Sequence, residues 1–207
     1  MTATALANTT SFPVSPTRKR AGAVASSFLD NRASDPSIDF FLLEMGSEGT
    51  YQTLDAMAAC VRGECPPDFS GCHDEWIRRK AEDIVRSVKG QDADGEIKAL
   101  FDFVRDKITY RKHPINQQRL QDCRRTLEFR SGDCVSKSVC LATLLAALGY
   151  EPRFVAQNLD GNEYSHVYVE VETPWGWLPL DPVAETQPMG WTQPLPATGH
   201  ETVQSIF

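Results

Sequence analysis

A chain of 207 residues, 41% apolar and 24% charged, has enough material for one globular core of ordinary size with a tail to spare. Its net charge of −7 argues against a nucleic-acid groove, for which the short cluster Arg18-Lys19-Arg20 is too little. No apolar run nears the roughly 20 residues that would cross a bilayer, so neither nucleic acid nor membrane is an expected partner.

Residues 1–25 are rich in Ala, Thr, Ser and Pro and lack the basic start, apolar stretch and small-residue cleavage site of a secretory leader. The chain therefore reads as cytoplasmic, with its six cysteines expected as free thiols. Residues 1–36 carry little periodicity and read as a disordered or linker tail.

An N-terminal helical part is expected over 37–112. Ile38 to Met45 is an apolar run of unclear class. Leu54, Met57, Ala58 and Val61 recur at helical spacing from Thr50 until Gly63 stops them. A loop with Pro66-Pro67 follows. A second helix is predicted from Asp74 to Val88 on Trp76, Ile77, Ala81, Ile84 and Val85. A third, capped by Asp94, carries Ile97, Leu100, Phe101, Val104 and Ile108.

A second part, helix followed by strands, is expected over 113–185. His113 to Arg130 is polar and gives no assignment. At Asp133 a helix opens that is apolar on most sides, with Val135, Val139, Ala142, Leu145, Leu141, Leu144 and Leu148, so it belongs in the interior. Gly149 is its expected terminator. The period then changes to two. Arg153 to Ala156 reads as a strand, and Asp160-Gly161 as a turn. Tyr164 to Glu172 alternates Val167, Val169 and Val171 against His166, Tyr168, Glu170 and Glu172. A hairpin through Thr173 to Gly176 leads to a short strand ending at Asp181, which Pro182 stops. The tail 186–207 is rich in Pro, Thr and Gln and is expected to be irregular. Helices first, then a central helix, then an antiparallel meander make an α+β arrangement.

Cys134 sits in Gly132-Asp133-Cys134, in the first turn of the buried helix. Unpaired N–H groups there favour an anion, and a thiolate is the form that attacks. Of the four histidines, His166 alone lies on a well-patterned strand, facing away from the valines. Asp181 ends the neighbouring strand, where a carboxylate can orient an imidazole.

Gly132-Asp133-Cys134, Leu148-Gly149-Tyr150, Arg153-Phe154-Val155, Ser165-His166-Val167, and Trp177 with Leu180-Asp181-Pro182 together resemble the transglutaminase-like core, a papain-like fold. In particular, the chain is similar to the forms encoded in phages and prophages. The resemblance covers about residues 50–183. It implies a Cys134–His166–Asp181 triad that attacks an amide or ester through a thioester intermediate. The substrate is then a protein or peptide, and no cofactor is needed. The Cys134 backbone N–H and one of Gln118 or Gln121 are the oxyanion donors by analogy. An inactive binding or structural module of a phage-related complex is the alternative. An arylamine N-acetyltransferase-like enzyme ranks lower because the chain is too short for that family's further domains.

Cys123 and Cys140 read as small buried apolar residues. Cys60, Cys65, Cys72 and His73 admit a zinc site or a disulfide. Their spacing lacks a Cys-x-x-Cys pair, so unpaired thiols are favoured and no metal is expected. Trp175, Trp177 and Trp191 read as edge packing before a peptide groove.

Overall fold

The computed structural model describes residues 41–43, 49–65, 69–90, 92–112, 118–159 and 164–207, all within one compact unit. The expectations for residues 1–36 and for the Asp160-Gly161 turn lie outside these. Strand β1 (Phe41–Leu43) precedes helices α1 (Gly49–Arg62), α2 (Glu75–Val85) and α3 (Ala93–Lys107). Strands β2 (Thr109–Tyr110) and β3 (Gln118–Leu120), helix α4 (Cys123–Phe129) and strand β4 (Ser131–Gly132) lead to helix α5 (Cys134–Ala147). The strands β5 (Pro152–Asn158), β6 (Tyr164–Thr173), β7 (Gly176–Leu180) and β8 (His200–Ser205) complete the chain.

Helix α5 is the axis of the core. Every residue from Val135 to Leu145 is buried, because α1, α2, α3, α4 and β6 all pack on it. Leu141, Leu144 and Leu145 are fully removed from water, each contributing roughly 1.5–3 kcal/mol. Two of its hydroxyls are satisfied, Ser138 Oγ donating to the Val167 carbonyl at 3.2 Å and Thr143 Oγ1 to that of Val139 at 2.7 Å, while the buried Ser136 Oγ finds no partner among the described residues. Gly149, at φ +89°, ends the helix as expected, with Tyr150 N donating to the Leu145 carbonyl.

The main sheet is antiparallel, in the order β7-β6-β5-β8. Phe154 stands opposite Val169 and Ala156 opposite Val167, and all four are buried. On the other face Gln157 pairs with His166. That face is covered too: Tyr168 and Gln157 are buried, and Gln157 Nε2 donates to the Gln193 carbonyl at 3.1 Å. The segment expected to be irregular therefore crosses the sheet and adds β8. That strand reads His-Glu-Thr-Val-Gln-Ser and is polar on an exposed edge, so it gives no apolar alternation to read.

Three further expectations change. Helix α3 is capped by Asp92, whose Oδ1 accepts from Gly95 N at 2.9 Å, with Asp94 inside the first turn. The unassigned stretch before Ser131 contains α4. Only Cys123, Thr126 and Leu127 of its seven residues face inward, too few for a periodic signal. Cys60 and Cys65 are joined in a disulfide. It spans the end of α1 and a turn made by Gly63 at φ +76°; a five-residue separation closes a bridge that sequence spacing favoured as free thiols. Among the described residues no helix is long and apolar enough to cross a membrane, and no cluster of His, Cys, Asp and Glu could hold a metal ion.

Candidate active site

Cys134 is the first residue of α5. Asp133 is the N-cap, in extended conformation, with Oδ1 accepting from Ser136 N at 2.9 Å. The approach is fixed by a two-residue parallel ladder in which Tyr110 pairs with Gly132. A side chain at Gly132 would place its Cβ 2.7 Å from that of Ser136, so the backbone turns into the helix only with glycine.

His166 and Asp181 meet from adjacent strands. The β6–β7 register puts Leu180 opposite Val169, so Asp181, one residue past β7, reaches the ring. Nε2 of His166 and Oδ2 of Asp181 are 2.8 Å apart, with 13% and 3% of the side chains exposed. Val183 N donates to Asp181 Oδ1 at 3.0 Å. With both oxygens engaged the carboxylate is fixed, and it selects the tautomer protonated at Nε2. Nδ1 is then the nitrogen free to accept a proton. The Tyr168 ring lies nearly parallel to the imidazole, centroids 6.3 Å apart.

The thiol is where the electrostatics differ from the sequence expectation. Burial, then the Asp133 carboxylate, push the Cys134 thiol up to about 12; N–H groups of Val135, Val167 and Cys134 pull the other way. The helix terminus acts as expected, but desolvation outweighs it. The Val167 N–H also fixes which strand the sulfur faces, since Val167 follows His166.

Of the two proposed amide donors, Gln118 lies on β3. Gln121 is buried, and its Nε2 donates to Thr126 Oγ1 and to the Ser131 carbonyl, both at 3.2 Å. Its amide hydrogens brace β4 and are not turned to a substrate. Sequence reasoning passed over two neighbours. Burial, and after it the neighbouring Cys134 and Asp133, raise the Tyr110 phenol. Lys137, one turn beyond Cys134, is wholly buried; its Nζ donates to the carbonyls of Arg105 at 3.1 Å and Ile108 at 2.8 Å. A lysine inside an apolar helix was the available signal. Beside the Tyr110–Gly132 ladder an open pocket of about 570 Å³ is lined by Thr109, Arg111, Phe129, Arg130 and Ser131. Trp175 is 91% exposed at the hairpin tip, and Trp177 packs under the Arg153 guanidinium at 3.9 Å.

The sequence profile of the transglutaminase-like superfamily core matches residues 78–182, about half of the 207 residues. No curated protein sequence matches significantly. Among solved structures, the chain is similar to a candidate protease from Parabacteroides distasonis, with TM-score 0.50 and 12% identity over 75% of this chain and 29% of that one. It is also similar to a candidate cysteine protease from Cytophaga hutchinsonii, with TM-score 0.46 and 15% identity over 80% and 60%. A transglutaminase aligns with TM-score 0.41 and 16% identity over 84% and 40%. The chain thus spans less than two thirds of each of these proteins. At such identities the first likeness speaks to the fold alone, and it agrees with the α+β arrangement.

Proposed function

Because the chain belongs to the transglutaminase-like superfamily, we propose that it is a cysteine-dependent acyl-transfer enzyme acting on amide bonds of a protein or peptide. The observation that carries this reading is the 2.8 Å pairing of His166 Nε2 with Asp181 Oδ2 on the strand whose next N–H serves the Cys134 sulfur.

In this reading Cys134 starts as a thiol. His166 Nδ1 takes its proton as the sulfur adds to the carbonyl, and the imidazolium formed is stabilised by Asp181. The proton then passes to the leaving amine, which leaves a thioester. Water resolves it in a hydrolase, and an amine does so in a transamidase. The backbone N–H of Cys134 is one oxyanion donor and Gln118 the second. Substrate approaches along the pocket beside the Tyr110–Gly132 ladder.

The test is incubation of the full chain with unfolded casein and a fluorescent primary amine. Covalent incorporation of the amine marks transamidation; new N-termini mark hydrolysis. Either product must vanish in Cys134→Ala. Neither product above the Cys134→Ala background, across neutral and mildly alkaline pH, overturns the enzyme reading. The alternative is an inactive binding module, in which the Cys134 thiol, pushed up by burial and by Asp133, stays unreactive. Gln118→Ala should lower turnover about 100-fold or more if that amide is the second donor.

A further inference from the structure

We infer that Cys123 and Cys140 are an oxidation site: a buried dithiol that closes into a disulfide joining α4 to α5. Their sulfurs are 2.8 Å apart, and both residues are fully buried. Each thiol also lies on the other residue's carbonyl, Cys123 Sγ at 3.4 Å from Cys140 O and Cys140 Sγ at 3.7 Å from Cys123 O.

The contact is a thiol–thiol hydrogen bond in which either sulfur can donate; carbon atoms that merely fill space rest at about 3.5–4.0 Å, and sulfur is no smaller. These sulfurs have come inside that distance. What remains is the contraction to a bond of about 2.05 Å. The proposed chemistry of the site uses neither sulfur. Cys140 follows Cys134 by six residues on the same helix, so the link would brace that helix without consuming the nucleophile. The Cys60–Cys65 bond shows that this fold accommodates oxidised cysteine elsewhere.

Closure removes one hydrogen from each thiol. Two electrons and two protons leave, and with hydrogen peroxide as oxidant the products are one S–S bond and two water molecules. Dithiothreitol returns both hydrogens. Closing a loop with a sequence separation of 17 restricts the unfolded chain, so the melting temperature should rise by on the order of 5 °C.

The experiment uses the full chain carrying Cys134→Ser, which keeps the nucleophile out of the count. Three free thiols then remain of the four, Cys72, Cys123 and Cys140. The protein is exposed to hydrogen peroxide, denatured, alkylated and digested without reduction. The expected result is one linked pair of peptides holding Cys123 and Cys140, two hydrogens lighter than the separate thiol peptides and abolished by dithiothreitol. One alkylatable thiol should remain. Recovery of Cys123 and Cys140 as two alkylated thiols, or as separate sulfinic acids, overturns the proposal. The same map on the wild-type chain decides the matter if the Cys134→Ser protein does not fold.

Discussion

Asp133 caps the helix that Cys134 begins, and its carboxylate opposes ionisation of that neighbour's thiol. One side chain thus supports the helix and restrains the nucleophile. Asn is an equally good N-cap without the charge. Asp133→Asn should keep the fold and shift the pH midpoint of Cys134 alkylation downward from the high value of the resting protein, since removing an anion favours a second anion beside it. The measurement is iodoacetamide labelling against pH, resolved by peptide mass. An unchanged midpoint would assign the whole rise to burial.

Asp181 fixes the ring of His166 by a single 2.8 Å bond. Asp181→Asn preserves shape but presents an amide that can donate to Nε2, which moves the ring proton to Nδ1. The nitrogen needed to receive the thiol proton is then blocked. In the enzyme reading, turnover should fall by on the order of 10⁴-fold with little change in KM or melting temperature. Steady-state kinetics with an unfolded protein substrate would show it. A variant of near-normal turnover would remove Asp181 from the chemistry.

The parts legible in the sequence are those where one periodicity dominates. Helix α5 is apolar on most sides, and β6 alternates valine with polar residues, so both stand out and bring Cys134, His166 and Asp181 with them. Strand β8 and helix α4 do not, because each buries too few side chains to impose a period. The thiol's electrostatics were equally hidden. A helix terminus is visible in Gly132-Asp133-Cys134, but the desolvation that overrides it depends on elements far away in the chain.

Gly132 is held by sterics. A methyl group there meets Ser136 Cβ at 2.7 Å, so Gly132→Ala should destabilise the protein by about 1–3 kcal/mol and displace the turn that presents Cys134. Ser136→Gly removes the obstructing atom. The double variant should therefore recover part of the loss, against the helix penalty of about 1 kcal/mol for the added glycine. Urea denaturation of the four-member cycle measures the coupling. Strict additivity would mean that the strain lies elsewhere.

Lys137 and Cys134 give opposite slopes to stability at alkaline pH. Burial lowers the Lys137 ammonium to about 8 from an ordinary value of 10.5. Between those values the unfolded chain keeps a proton that the native protein has lost, so folding gains as pH rises. Cys134 works the other way. Its thiol keeps its proton up to about 12 where the ordinary value is 9.0, so the unfolded chain loses that proton first and folding weakens as pH rises above 9.0. The wild-type profile should rise from about pH 8 to 9 and turn over above that, where Cys134 and the other buried thiols Cys72 and Cys123 oppose Lys137. Lys137→Met removes the rising limb and should leave stability falling above about pH 9. Cys134→Ser removes one contribution to the falling limb, which burial of Cys72, Cys123, Tyr150 and Tyr168 also feeds, and should leave a profile that falls less steeply than wild type above about pH 9. Denaturation midpoints of the three proteins across that range provide the comparison. Parallel profiles would mean that neither the buried Lys137 nor the partly exposed Cys134 changes its proton affinity on folding.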